Sequence, residues 1–209
     1  MKKIAIGLCL LFGLNLQADL VSDGYAQFKQ NNFKEAIELW TQSCDAGNID
    51  GCYNLGYMYE YGKGTMHDEE RASKLYAIGC DKGDAKACSN LGVIYEEGKG
   101  RVKQDFFKSS HLYARSCELG NMKGCYNLGV TYHRGRGVDR DYQMAATLYE
   151  YTCSNGQIEG CYYLAEMYKK GKGIQQNRSK AKSLYAKACN MGSGSACSKY
   201  RRLDEDGVR

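Results

Sequence analysis

Cysteine is the residue with the most chemical potential in this chain of 209, which carries 11. Ten of them stand in pairs: Cys44 and Cys52, Cys80 and Cys88, Cys117 and Cys125, Cys153 and Cys161, Cys189 and Cys197. Every pair is separated by eight residues, and the first members follow one another at intervals of 36, 37, 36 and 36. Thiols in this number can bridge, bind zinc or act as nucleophiles. A zinc site is disfavoured, because no C-x2-C spacing occurs. An even set of paired cysteines in an exported chain reads as a disulfide framework, and it leaves no free thiol for nucleophilic work.

The remaining candidates for chemistry are sparse. One S-x-x-K string exists, Ser179 to Lys182, but S-D-N and K-T-G, the other strings of a serine β-lactamase, do not accompany it. The nearest fragments are "SDG" at Ser22 and "KGT" at Lys63. The other four copies have Lys34, Glu70, Phe107 and Gln143 where the fifth has Ser179. Three histidines, His67, His111 and His133, lie in separate repeats and read as solvated surface residues rather than a metal set. No catalytic residue, metal site or cofactor is assigned.

These residues are held by a repeated phrase. "CYNLGYMYEYGKG" at Cys52 returns as "CSNLGVIYEEGKG" at Cys88, "CYNLGVTYHRGRG" at Cys125 and "CYYLAEMYKKGKG" at Cys161. A period of this length signals stacked helical hairpins. Before each first cysteine, a helix opens on a polar cap (Asn32, Asp68, Asp105, Asp141, Asn177). It presents a small residue (Ala36, Ala72, Ser109, Ala145, Ala181) and an aromatic one (Trp40, Tyr76, Tyr113, Tyr149, Tyr185) on one face. The second helix carries a mid-helix glycine at Gly56, Gly92 and Gly129, with Ala165 in the fourth copy. Glycine there costs about 1 kcal/mol against alanine, which implies close approach of another helix. Each second helix ends at Gly-x-Gly, where glycine accepts the left-handed conformation. Each cysteine pair then joins the end of one helix to the first turn of the next, where the Cα atoms of an antiparallel hairpin come within bonding range. Closing a loop of about nine residues contributes on the order of 2.5 kcal/mol.

The first eighteen residues, "MKKIAIGLCLLFGLNLQA", have the layout of a secretory signal peptide: two lysines, a short apolar run and a small residue at the end. Its removal takes Lys2, Lys3 and Cys9, lowering the formal charge from +5 to +3 and leaving the even ten cysteines. The charge is spread along the chain, which argues against nucleic acid as a partner. No membrane span is expected after cleavage, and the chain is read as a secreted or periplasmic monomer. Expected boundaries are 1–18 for the signal, 19–31 for an N-terminal capping helix, 32–203 for five hairpins with the last truncated, and 204–209 for a polar tail.

Asparagine supplies the candidate binding signal. Asn54, Asn90 and Asn127 stand two residues after the second cysteine of three successive copies, and Tyr163 takes that place in the fourth. Asparagine is a mediocre helix former, so its return at one interior position suggests a shared purpose. An amide can bind a peptide backbone or carboxylate, or can bond to the neighbouring repeat and set the stacking. Farther along the same stripe the charge turns basic at Arg134 and Lys170.

L-G-x-x-Y-x-x-G-x-G followed by a capped A-x-x-L-Y helix resembles the Sel1-like repeat, a relative of the tetratricopeptide repeat. The C-x7-C in every copy is similar to the secreted Helicobacter cysteine-rich proteins. The resemblance covers residues 30–200. It implies an all-α, right-handed solenoid of disulfide-stapled αα hairpins with a concave groove, and a role as an interaction scaffold. Related repeats use asparagines in peptide clamps, so a peptide or protein ligand is expected in the groove at Asn54, Asn90, Asn127, Tyr163, Arg134 and Lys170. The same resemblance implies penicillin binding and slow β-lactamase activity, with β-lactam or peptidoglycan-derived small molecules as ligands. A purely structural envelope scaffold is the alternative.

Overall fold

The computed structural model describes residues 19–208, so the expected signal peptide lies outside the described residues. Eleven helices and no strand occur among them. The described residues divide into two compact units, one ending at Gln104 and the other beginning at Asp105.

The first unit contains α1 (19–29), α2 (Phe33–Asp45), α3 (Ile49–Tyr61), α4 (Glu69–Asp81) and α5 (Ala85–Glu97). From α2 onward, each helix packs on its successor. Trp40 of α2 is buried with Ala36, Leu55 and Met58. Helix α1 covers this cluster. Phe28 packs 5.8 Å from the Trp40 ring, and Trp40 Nε1 donates to the Val21 carbonyl at 3.2 Å.

The second unit contains α6 (Phe106–Glu118), α7 (Met122–Arg134), α8 (Tyr142–Ser154), α9 (Ile158–Lys170), α10 (Arg178–Asn190) and α11 (Gly194–Glu205), again packed in succession. Helix α11 runs two residues past the boundary expected at 203, and Leu203 is buried in the core with Tyr185 and Ala188. The polar end is tied down: Lys182 pairs with Asp204 at 2.6 Å and Arg178 with Asp206 at 2.7 Å.

All five cysteine pairs are disulfides, with Cα atoms 4.4–4.6 Å apart. The residues just before each pair are small: Ser43 and Gly51, Gly79 and Ala87, Ser116 and Gly124, Thr152 and Gly160, Ala188 and Ala196. Their size is required. A Cβ on Gly51 would stand 2.6 Å from Ser43 Oγ, and one on Gly160 would stand 2.2 Å from Thr152 Oγ1. The hairpin therefore closes on a small-residue contact, and the disulfide seals it one residue later.

The expected aromatic position forms the buried spine, with Tyr76, Tyr113, Tyr149 and Tyr185 all at 1% exposure or less. Two of the mid-helix glycines meet these rings. A Cβ on Gly56 would lie 2.9 Å from Tyr76 Cε1, and one on Gly129 would lie 2.8 Å from Tyr149 Cε1. Asp68, Asp105, Asp141 and Asn177 each cap their helix by accepting a backbone N–H three residues on. Asn32 is a correction to the expected caps. It occupies the position but makes no capping bond, and its amide donates to Gln27 Oε1 at 2.8 Å instead. Turn residues Asn48, Asp84, Asn121 and Ser193 cap the second helices.

Candidate functional site

Each unit bears a recess built on its second-helix side. In the first unit, two adjoining hollows of about 670 and 320 Å³ share Tyr25 of α1, Tyr53 and Asn54 of α3, and Lys86 at the start of α5. Phe28, Trp40 and Tyr57 line the smaller one. Its rings form a connected set, with Tyr25 6.2 Å from Phe28 and Phe28 6.2 Å from Tyr57. Lys63 Nζ lies over both Phe28 and Tyr57, at 4.9 and 5.4 Å from the ring centres. Tyr25 remains half exposed, so this aromatic surface is open to solvent. Burial pushes the Tyr53 phenol up, and its hydroxyl accepts from the Asn90 amide. Of the recurring asparagines, Asn54 lines this open, ring-walled hollow.

In the second unit, a recess of about 320 Å³ is lined by His133 of α7, by Tyr162, Tyr163, Glu166, Met167 and Lys170 of α9, and by Lys172 just beyond. Tyr163 stacks on Tyr149 at 5.6 Å and 27°, so one of its faces is committed to packing. Glu166 is the single acid of the lining. It accepts the Tyr185 hydroxyl, pairs with Lys170 at 2.7 Å and faces Lys199 at 3.8 Å. Burial alone would raise its carboxyl, but these donors outweigh that and hold it below the usual carboxylate range. His133 is a second correction. It is not a solvated surface histidine but half-buried, with its ring 5.3 Å from Tyr142 and edge-on to it. Burial, then the charges of Lys172, Arg134 and Lys170, push its imidazole below the usual value.

The other expected residues are placed differently. Asn90 is half-buried and donates to the Tyr53 hydroxyl at 3.5 Å, a contact to the preceding repeat. Asn127 is half-buried on α7 and lines neither recess, and Arg134 is exposed at the end of the same helix. Ser179 is exposed in the first turn of α10, while Lys182 donates to the Val208 carbonyl at 2.5 Å and pairs with Asp204. That lysine is committed to the chain end rather than to a serine nucleophile. His67 pairs with Glu69 at 2.9 Å, and His111 lies edge-on to Phe107 at 4.5 Å. Among the described residues, no group of three or more His, Cys, Asp or Glu could hold a metal ion. Sequence reasoning missed His133, Glu166 and Lys172. The signal that could have found the first two is a break in the repeat. His133 stands where earlier copies have Glu60 and Glu96, and Glu166 stands where they have Tyr57, Val93 and Val130.

The Sel1 repeat family model matches residues 18–48, 49–84, 85–121, 123–157 and 158–193. Its phase pairs α1 with α2 and each later second helix with the first helix that follows, so every disulfide links one match to the segment after it. A curated relative is HcpC of Helicobacter pylori, whose name proposes β-lactamase activity. It is 32% identical over 67 residues, 31% of this chain and 23% of HcpC. The match therefore spans about a quarter of that relative's length. Among solved structures, a Sel1 repeat protein from Oxalobacter formigenes aligns with a TM-score of 0.82 and 26% identity, over 88% of this chain and 74% of that one. Helicobacter pylori cysteine-rich protein B aligns with a TM-score of 0.50 and 28% identity, over 63% and 94%. The helical-repeat class read from the sequence is the class of these structures.

Proposed function

Because the chain belongs to the Sel1 repeat family, we propose that it works by recognition, as a disulfide-stapled scaffold that binds a peptide or protein segment. The observation that carries this is the first unit's recess, where Asn54 and Lys86 stand over a ring-walled hollow open to solvent. An amide offers both a donor and an acceptor to a peptide backbone, and tyrosine rings give large contact area with little side-chain entropy to lose. The disulfides fix each hairpin before any ligand arrives, so binding loses little to ordering. Five disulfides also favour an oxidising compartment, in keeping with export. No helix among the described residues is long and apolar enough to cross a membrane.

The test begins with selection of peptides on the oxidised chain from a random display library, followed by calorimetric titration of the winners. Asn54→Ala and Lys86→Ala are expected to weaken a selected peptide by about tenfold each, the effect of about 1.4 kcal/mol, with no change in melting temperature. Peptides that bind both variants as well as the parent would move the reading away from this recess.

Penicillin binding with slow β-lactam hydrolysis is the second reading, and its support is the HcpC name and the sequence resemblance. The position of Lys182 speaks against a serine dyad at Ser179. Nitrocefin turnover by the purified chain, compared with Ser179→Ala and with added chelator, decides it. Turnover surviving both controls would establish an enzyme with a site elsewhere, and turnover no faster than buffer would remove the reading.

A further inference from the structure

We propose that the recess of the second unit is a separate site for an acidic peptide segment, with a carboxylate taken on its His133 and Lys172 side and a neighbouring apolar side chain laid against Tyr162, Tyr163 and Met167. This rests on the lining of that recess and not on the reading of the first unit.

Three observations carry it. First, the charge is unbalanced. Lys170 and Lys172 line the recess and Lys199 and Arg134 act on its edge, against the single carboxylate of Glu166. That carboxylate is already engaged by Lys170 and Tyr185. Among the described residues Lys172 has no acidic partner; its ammonium lies 5.6 Å from the Tyr142 ring, a weak attraction that a carboxylate would exceed. Second, the uncharged part of the lining is aromatic and apolar. Tyr162 and Tyr163 meet edge to face at 5.4 Å, with Met167 beside them. Third, the volume of about 320 Å³ suits one acidic and one apolar side chain, at the small end of the range for ligand pockets.

His133 makes the site sensitive to pH. The groups facing it are Arg134 on its own helix, Tyr142 and Tyr149 of α8, Tyr162, Tyr163, Lys170 and the already engaged Glu166 of α9, and Lys172 beyond α9. Burial, then cations that outnumber the one carboxylate, make the ring resist protonation when the recess is empty. A bound carboxylate reverses that field. Affinity therefore rises as pH falls from about 8 to about 5.5, a range in which a peptide glutamate stays ionised.

The test is calorimetric titration of the full oxidised chain with a capped peptide of alternating glutamate and phenylalanine, its glutamine isostere, and phenylacetate. The glutamate peptide is expected to bind at least about tenfold more tightly than the isostere, and more tightly at the lower pH. Lys172→Gln should weaken it severalfold, while Lys123→Gln, a lysine outside the recess on the same unit, should not. Glu166→Gln should tighten it, because the carboxamide still accepts from Tyr185 and a repelling charge is gone. That opposite sign separates charge recognition from loss of folding. Equal binding of glutamate and glutamine peptides, equal effects of the two lysine variants, or weakening by Glu166→Gln would overturn the proposal. So would binding of phenylacetate with none of the peptide, which would make the site one for small aromatic acids.

Discussion

The two recesses stand on the same kind of hairpin and differ in what fills the variable positions. Five residues beyond the second cysteine, the first copy has Tyr57 and the fourth has Glu166; nine beyond, they have Tyr61 and Lys170. The hollow of the first unit therefore sets an amide and Lys86 among its rings, and that of the second sets two lysines, a histidine and a carboxylate among its own. The packing positions barely change. Leu55 and Leu164 are buried, as are Tyr76 and Tyr185. The repeat is a chassis whose buried words are kept and whose surface words are exchanged, so changes to the chassis should cost both units alike while changes to the recess should not.

The largest effect expected from that comparison comes from the staples. Replacing both members of a pair by alanine, Cys44 with Cys52 or Cys153 with Cys161, should lower stability by about 2.5 kcal/mol in either unit, since the closed loops are the same length. Denaturant melts under non-oxidising and oxidising conditions check it. A loss twice as large in one unit would show that strain or residual structure, not loop length, sets the contribution.

Next in size are the mid-helix positions. Ala165→Gly should cost about 2 kcal/mol, from helix propensity and a lost buried methyl. Gly56→Ala should also destabilise, by about 1 kcal/mol, because the clash with Tyr76 outweighs the gain in propensity. The units differ here through one hydrogen bond. Tyr76 reaches one turn past the glycine to Glu60, at 2.6 Å, whereas the Tyr185 hydroxyl goes to Glu166, the neighbour of the alanine. A stabilised Gly56→Ala would mean that Tyr76 can move aside, and the glycine would need another explanation.

The fold was legible because its signals are local and recur in phase: the cysteine pairs, the capping aspartates, the Gly-x-Gly stops and the glycines beneath Tyr76 and Tyr149. The site was legible in part. Asn54 stands out by repetition, and it lines a recess. Repetition could not distinguish it from Asn90, whose amide meets Tyr53 of the preceding repeat, because that depends on which side chain lies across the stack. His133 and Glu166 were hidden for the opposite reason: each occurs once, and a search for recurrence passes over it. The contact of Ser43 with Gly51 was missed because small residues carry no periodic signal until two helices are brought together.

That contact yields a smaller prediction with opposite signs in the two units. Ser43 Oγ is buried with no hydrogen-bond partner, while Thr152 Oγ1 donates to the Leu148 carbonyl at 2.9 Å. Ser43→Ala removes an unsatisfied hydroxyl and should stabilise by about 1 kcal/mol, whereas Thr152→Ala removes a made bond and a methyl and should cost about 1 kcal/mol or more. Thermal melts of the two variants side by side check the signs, and a destabilised Ser43→Ala would show that the hydroxyl has a partner in solution.

The smallest effect belongs to His133, and it marks the second unit because the first has no histidine in its recess. Burial, reinforced by Lys172, Arg134 and Lys170, depresses the folded imidazole below its usual value, while the unfolded one titrates near about 6.5. As pH falls through that value the unfolded chain takes up a proton that the folded chain resists, so stability should decline below about pH 7 and level off once the folded ring is also protonated. Glu166 has the same sign, but its contribution is lost only at more acid pH, where the folded carboxyl itself titrates. Melting temperatures between pH 7.5 and 5.5 should therefore fall more steeply for the parent than for His133→Gln. Saturating glutamate peptide should flatten or reverse the slope of the parent, because the bound carboxylate favours the protonated ring, and should leave that of His133→Gln unchanged. Equal slopes for parent and variant without ligand would mean that His133 sits in water, and the acid-sensitive part of the second site would be lost with it.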